Sequence, residues 1–276
     1  MTTNLSQEVL QILKDCKQNQ TAELDLRECG LTNIPKEIKA YSWITSLYLN
    51  GNQITKIEHL GTFPNLTKLN LSENQITKID NLDKLPHLLE LDLSENKIAK
   101  IEKLDKLSTL TALSLYNNQI TKIENLNKLP HLKKLYLESN QITKIENVDK
   151  LPNLIELDLS RNQITKIENL NKLPKLKVLY LTGNQLTTIE NLDKLPNLDR
   201  LSFFRNQIIK IEKLDKLPNL TWLSLRANQI TKIENLDKLA NLITLDLSSN
   251  QITKLENMDK LPNLKKLSLH QNRIVN

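Results

Sequence analysis

The stretch Leu154-Ile155-Glu156-Leu157-Asp158-Leu159-Ser160-Arg161-Asn162 followed by Gln163-Ile164-Thr165-Lys166-Ile167-Glu168 reads L-x-x-L-x-L-x-x-N-Q-I-T-K-I-E. The same pattern starts again at Leu66, Leu88, Leu110, Leu132, Leu176, Leu198, Leu220 and Leu242, every 22 residues and without an insertion. Ile44 opens an earlier unit of 22 and Thr21 one of 23, while Leu264 to Asn276 forms a half. Residues 21–276 therefore hold eleven full units and one half, and the usual expectation of about two domains for 276 residues does not apply. A unit this short cannot bury its own apolar residues. Each coil must stack on its neighbours, and stability becomes close to a nearest-neighbour sum.

Within a coil, Leu66, Leu69 and Leu71 mark a short strand. Alternation sends Leu69 and Leu71 inward and Lys68, Asn70 and Ser72 outward. Ile76, Ile79, Leu82 and Leu85 complete one coil's core, and the stacked strands become one parallel sheet. Pro86 and its counterparts, such as Pro130 and Pro196, interrupt helix on the other side, so short 3₁₀ turns are expected there. An Asn column runs from Asn52 to Asn272 where the chain leaves each strand. Its amides can satisfy backbone groups of their own coil and the next, each otherwise costing about 1–3 kcal/mol. The first unit has Cys29 there, expected to be a small buried filler and not a nucleophile, with a looser first rung as the result.

Ahead of the coils, Leu5, Val9, Ile12, Leu13 and Cys16 fall at helical spacing, with Asn4 placed to cap and Gln7 three residues on. Residues 1–20 are thus expected to form a helix that closes the first coil. No comparable lid follows Asn276, so the last strand, Leu267 to Leu269, is expected to carry an open edge able to recruit another strand.

Four Gly in the whole chain exclude a Gly-rich phosphate loop, and no apolar run approaches a membrane span. Cys16 and Cys29 are too few for a disulfide framework or a cysteine zinc site, so neither metal nor cofactor is expected. The net charge of +6 and pI near 9.1 invite nucleic acid or an anionic membrane. The basic column Lys78, Lys100, Lys122, Lys144 and Lys166 is compensated, however, by Asp80, Glu102, Glu124, Glu146 and Glu168 beside it. Neither class of partner is expected. Nor is catalysis: His59, His87, His131 and His270 come from different parts of the repeat, apart from the shared slot of His87 and His131 two coils apart. Asp92 and Asp158 stand three coils or ~14 Å apart, beyond a glycosidase pair. Ser114, Ser202 and Ser224 lack a His base.

From Ile44 to Asn276 the pattern L-x-x-L-x-L-x-x-N-Q-I-T-K-I-E-N-L resembles the 22-residue leucine-rich repeats of the protein phosphatase-1 regulatory subunit 7 type. That resemblance implies an α/β, right-handed curved solenoid with its parallel sheet on the concave face and 3₁₀ turns on the convex face. It also implies binding of another protein across the concave face. Two features depart from it: a C-terminal cap motif is absent, and Leu31-Thr32-Asn33-Ile34-Pro35-Lys36-Glu37-Ile38 looks like a different repeat subtype. Bacterial internalins also use 22-residue repeats but look secreted. The opening Met1 to Glu8 has no basic start followed by an apolar block, so the expected location is cytoplasmic.

Comparing coils with one another separates scaffold from site. The four outward strand columns vary, as in Arg200, Ser202, Phe204 and Arg205. They hold six of ten aromatics (Tyr48, Tyr116, Tyr136, Tyr180, Phe204, Trp222) and five of six arginines (Arg27, Arg161, Arg200, Arg205, Arg226). Of the lysines only Lys68, Lys134 and Lys266 lie there. Aromatics and Arg are the side chains enriched at binding hot spots, and Lys is depleted there, although half-exposed strands favour aromatics in any case. Through Ser160 these columns hold ten acids against three bases; from Arg161 on, five bases face Asp246 alone. The expected function is a non-catalytic scaffold that binds a protein partner through Tyr116, Tyr136, Tyr180, Arg200, Phe204, Arg205, Trp222 and Arg226, acting as a monomer. Its alternative is a structural or self-associating array, natural or consensus-designed, that uses the C-terminal edge.

Overall fold

The computed structural model describes residues 5–61 and 63–275. Ahead of the repeats, α1 (Gln7–Asn19) buries Val9, Leu13 and Cys16, the face that its apolar spacing foretells. Its cap is Ser6, whose hydroxyl accepts from the Val9 N–H at 3.2 Å. The expected cap at Asn4 lies outside the described residues. Gln20 ends the helix in a left-handed turn, its N–H donating to the Cys16 carbonyl. Tyr41 ties α1 down by donating its hydroxyl proton to the Leu13 carbonyl at 2.8 Å.

Each coil then contributes one strand of three residues. The first compact unit, which ends at Leu135, contains β1 (Glu23–Asp25), β2 (Ser46–Tyr48), β3 (Lys68–Asn70), β4 (Glu90–Asp92) and β5 (Ala112–Ser114). The second begins at Tyr136, inside β6 (Lys134–Tyr136). It continues with β7 (Glu156–Asp158), β8 (Val178–Tyr180), β9 (Arg200–Ser202), β10 (Trp222–Ser224), β11 (Thr244–Asp246) and β12 (Lys266–Ser268). In each unit the strands are parallel and lie in chain order, with equivalent residues side by side. Leu47 pairs with Leu69 and Leu69 with Leu91; in the second unit Leu179 pairs with Leu201, Leu201 with Leu223 and Leu223 with Leu245. The last strand starts one residue earlier than the expected Leu267.

The leucine and isoleucine columns between strand and turn are sealed, and Phe203 fills a Leu slot at 0% exposure. This covering fades in the last coil, where Leu255 is 54% exposed. On the far side the chain returns through backbone bonds of the 3₁₀ type, such as Leu85 N–H to Leu82 and Leu107 N–H to Leu104. Only Lys36–Ala40, Val148–Lys150 and Met258–Lys260 extend these into 3₁₀ helices among the described residues; the other coils make isolated turns.

The Asn column is a bracket between coils, and its direction differs from the expectation. Asn74 donates to the carbonyls of Leu71 and Ser72 in its own coil and of Leu49 in the preceding one. Its side-chain oxygen accepts from the Ile54 N–H, also in the preceding coil. An amide reaches backward because the bend it occupies opens toward the return segment already laid down. A second Asn column had no assigned role. Asn81, Asn125, Asn169, Asn191, Asn235 and Asn257 sit in left-handed turns and donate to an isoleucine carbonyl of the preceding coil, as Asn191 does to Ile167 at 2.7 Å. Asn tolerates that backbone better than other residues with a Cβ. His59, Lys103 and Lys213 occupy the same turn at φ 64°, 58° and 58°.

Candidate protein-binding face

On the strand face the outward columns are less free than alternation suggests. Ser72, Ser94, Ser160 and Ser248 are buried. Each follows an Asn or Asp two residues earlier that accepts from its backbone N–H: Asn70, Asp92, Asp158 and Asp246 at 2.8–3.0 Å. Those side chains are occupied locally. Asp158 is also pushed above the ordinary carboxylate range by burial, with Glu138 and Glu156 adding repulsion against the Ser160 hydrogen bonds.

In the second unit, substitutions in the same columns open a groove of about 410 Å³. Tyr180 from β8 and Trp222 from β10 stand two strands apart and meet edge to face, ring centroids 6.5 Å apart at 83°. The strand between them offers Ser202, buried beneath the pair, with its hydroxyl 2.8 Å from that of Thr182. A small polar residue at that point is what lets the two large rings touch. Gly183, beside Thr182, takes the left-handed backbone at φ 64° that favours glycine.

Phe204 leaves the end of β9 half-buried and is bracketed by two guanidinium groups. Arg205 follows it in a left-handed turn at φ 56°, and its charge lies 5.1 Å from the ring centroid. Arg226, the counterpart of Phe204 one coil on, approaches to 5.3 Å. Both arginines are exposed, and neither has a carboxylate within 4 Å among the described residues. Arg161 and Arg200 differ, pairing with Glu138 at 3.5 Å and Asp199 at 3.8 Å.

The eight residues singled out from the sequence therefore separate. Tyr180, Phe204, Trp222 and Arg226 line the groove, and Arg205 covers Phe204 at its rim. Arg200 pairs in register with Trp222 but turns its charge to Asp199. Tyr136 donates to Glu156 at 2.9 Å, and burial together with that bond pushes its phenol well above the ordinary value. Tyr116 belongs to the first unit, where its bond to Glu95 at 2.7 Å, then burial, pushes it up to about 12. Sequence reasoning did not single out Glu138, Arg161, Thr182, Ser202 or Asp246 for the groove. Arg161 and Asp246 were visible as charged departures in outward columns; the small floor residues gave no signal.

Cys29 is half-buried, not fully buried, and burial followed by the charges of Glu8 and Asp25 raises its thiol, the reverse of activation. One serine does meet a histidine: Ser248 lies 3.0 Å from His270 Nδ1. Its proton goes to Asp246, however, and it is 0% exposed, so no substrate could reach it. The lysine column beginning at Lys78 and its acidic companion make no pair within 4 Å among the described residues, so the compensation is one of proximity only. No described helix is long and apolar enough to cross a membrane.

A family model of leucine-rich repeats in two copies matches residues 64–106, 108–150, 152–194 and 196–238, and a further leucine-rich repeat model matches 218–274. No curated protein sequence gives a significant match. Among solved structures, an internalin, InlF, of Listeria monocytogenes is 28% identical with a TM-score of 0.87, covering 96% of this chain and 80% of that one. An LRR protein of Leptospira interrogans is 32% identical, TM-score 0.79, covering 89% and 71%. An octameric complex of Latrophilin 3, Unc5D and the LRR part of FLRT2 contains a chain 27% identical, TM-score 0.78, covering 91% and 82%. The repeat spacing, the Asn brackets and these matches together make the chain a member of the leucine-rich repeat family.

Proposed function

We propose that this protein is a non-catalytic scaffold that binds a protein partner on the strand face of its second unit. The observation that carries the reading is the cluster of Tyr180, Trp222 and Phe204 with Arg205 and Arg226. It places three partly exposed rings and two guanidinium groups without carboxylate partners in one groove. Such groups contribute most at hot spots because they exchange large apolar area and multiple donors at little loss of rotamer freedom. The FLRT2 complex is an instance of the same fold assembled with other proteins. Likeness to repeats of the phosphatase-1 regulatory subunit 7 type supports the class of activity and supplies no partner. The two free thiols, Cys16 and Cys29, support a cytoplasmic location, which fractionation of the source cell tests.

The direct experiment is affinity capture from the source cell with wild type and Phe204→Ala/Trp222→Ala. Neither ring is part of the sealed core, so the fold is expected to survive while a genuine partner loses about 2 kcal/mol or more. Retention of the partner by the double variant at unchanged affinity removes this face from the proposal. A second reading, self-association, draws on the exposure of Leu255, Ile274 and Val275 in the last coil. Light scattering at two concentrations decides it through the mass.

A further inference from the structure

We infer that the second unit recognises a dipolar protein segment, one carboxylate seated over Arg205 and Arg226 and one basic side chain directed to Glu156. This rests on the protein-binding reading above and names the chemistry of the partner. The first half of the inference comes from the bracket around Phe204. Two guanidinium groups approach one ring, at 5.1 and 5.3 Å, without a carboxylate within 4 Å among the described residues. The ring attracts both charges while no carboxylate within 4 Å among the described residues engages them, and a planar fork of donors matches a carboxylate. The nearest acid in the groove, Asp246, is occupied by the N–H and hydroxyl of Ser248.

The second half concerns what the rest of the face would reject. Glu138 and Glu156 belong to the same unit; Arg161 offsets Glu138, whereas Glu156 has the uncharged Tyr136 hydroxyl and no cation within 4 Å among the described residues. Asp158, like Asp246, is taken up by the serine two residues on. A polyanion such as nucleic acid, extended along the groove, would be attracted at one end and repelled at the other. A segment carrying both signs satisfies both ends. Glu156 and the Phe204 bracket are two to three coils apart, about 10–14 Å at ~4.8 Å per strand. An extended chain covers that in three or four residues at ~3.3 Å each, so an acid and a base about four residues apart, with an apolar residue between them over Tyr180 and Trp222, is the expected arrangement.

Selection from a library of random twelve-residue peptides displayed on phage tests this even while the natural partner is unidentified. Wild type, Arg205→Ala/Arg226→Ala and Phe204→Ala/Trp222→Ala are panned in parallel after circular dichroism shows that all three are folded. Wild type is expected to enrich peptides with Asp or Glu several-fold over the unselected library, a Lys or Arg lying about four residues away. The arginine variant is expected to lose the acidic enrichment, and the aromatic variant to recover few binders of any kind. Wild-type binders without acidic enrichment, or the same enrichment on the arginine variant, overturn this inference and leave protein binding standing. No binders on wild type overturn both. Capture of a DNA duplex that competes with selected peptides on wild type, but not on the arginine variant, also overturns the dipolar assignment in favour of a polyanion.

Discussion

Replacement of Asn228 by Ala should cost about 2–3 kcal/mol, and the reason lies in which of its four bonds have a substitute. The amide nitrogen donates to the carbonyls of Phe203, Leu225 and Arg226 at 2.9, 3.0 and 3.2 Å. Each of those oxygens keeps another donor after truncation: Asn206 for Phe203, Asn250 for Leu225, and the Arg205 N–H for Arg226. The Ile208 N–H, held by the side-chain oxygen at 3.0 Å, has no substitute. A buried donor left without an acceptor costs about 1–3 kcal/mol, and the weakened carbonyl pairs and lost packing add a smaller amount. Asn228→Asp separates the two halves of the interaction. It preserves the acceptor for Ile208 but turns an oxygen toward three carbonyl oxygens, so its neutral form is favoured and its folded pKa is raised. That variant's stability is then greatest below the ordinary Asp value near 3.9 and is lost as pH rises through the folded pKa. Urea unfolding followed by circular dichroism at pH 7 and pH 4, with amide exchange at Ile208, measures both. An Ala variant within 0.5 kcal/mol of wild type, or an Asp variant as stable at pH 7 as at pH 4 relative to wild type, would refute the argument.

Lys213→Asn is expected to stabilise by roughly 0.5–1 kcal/mol, because it relieves a left-handed residue at φ 58° and supplies the donor its counterparts give to the preceding coil; an unchanged urea midpoint counts against it. Tyr116 should titrate at about 12 by ultraviolet absorbance, falling toward the ordinary ~10 in Glu95→Gln. Because the unfolded phenol ionises first, the stability this bond contributes is full below about pH 10 and is lost as pH rises through 12. Association of the partner should slow as salt rises, since Arg205 and Arg226 are exposed and without carboxylate partners among the described residues; a salt-independent on-rate would remove charge from the recognition scheme.

The period of 22 and the leucine columns made the stacked coils and the parallel strands readable, since only one placement buries Leu69, Leu71, Ile76 and Ile79 together. The backward reach of Asn74 was not readable, because an amide can satisfy either neighbour and only the direction in which the bend opens selects one. The groove was legible in its large members, Tyr180, Phe204 and Trp222, as departures from a repeating template. What gathered them was not: Ser202 acts by being small, and smallness in an already variable column carries no signal. Sequence reasoning also counted Asp158 and Asp246 among the outward charges of the face. It missed that Asp158 and Asp246 are turned onto the serine two residues on, a local bond that depends on the backbone bend after the strand.

The Asn brackets give the chain a direction of assembly. Ile54 has its N–H satisfied only when Asn74 is in place, Ile142 waits for Asn162 and Ile208 for Asn228. An isoleucine emerging from the ribosome thus waits for twenty further residues before its N–H meets this acceptor, and each new coil locks the turn made just before. A coil transplanted into another array should accordingly need an Asn at this place in the coil that follows it.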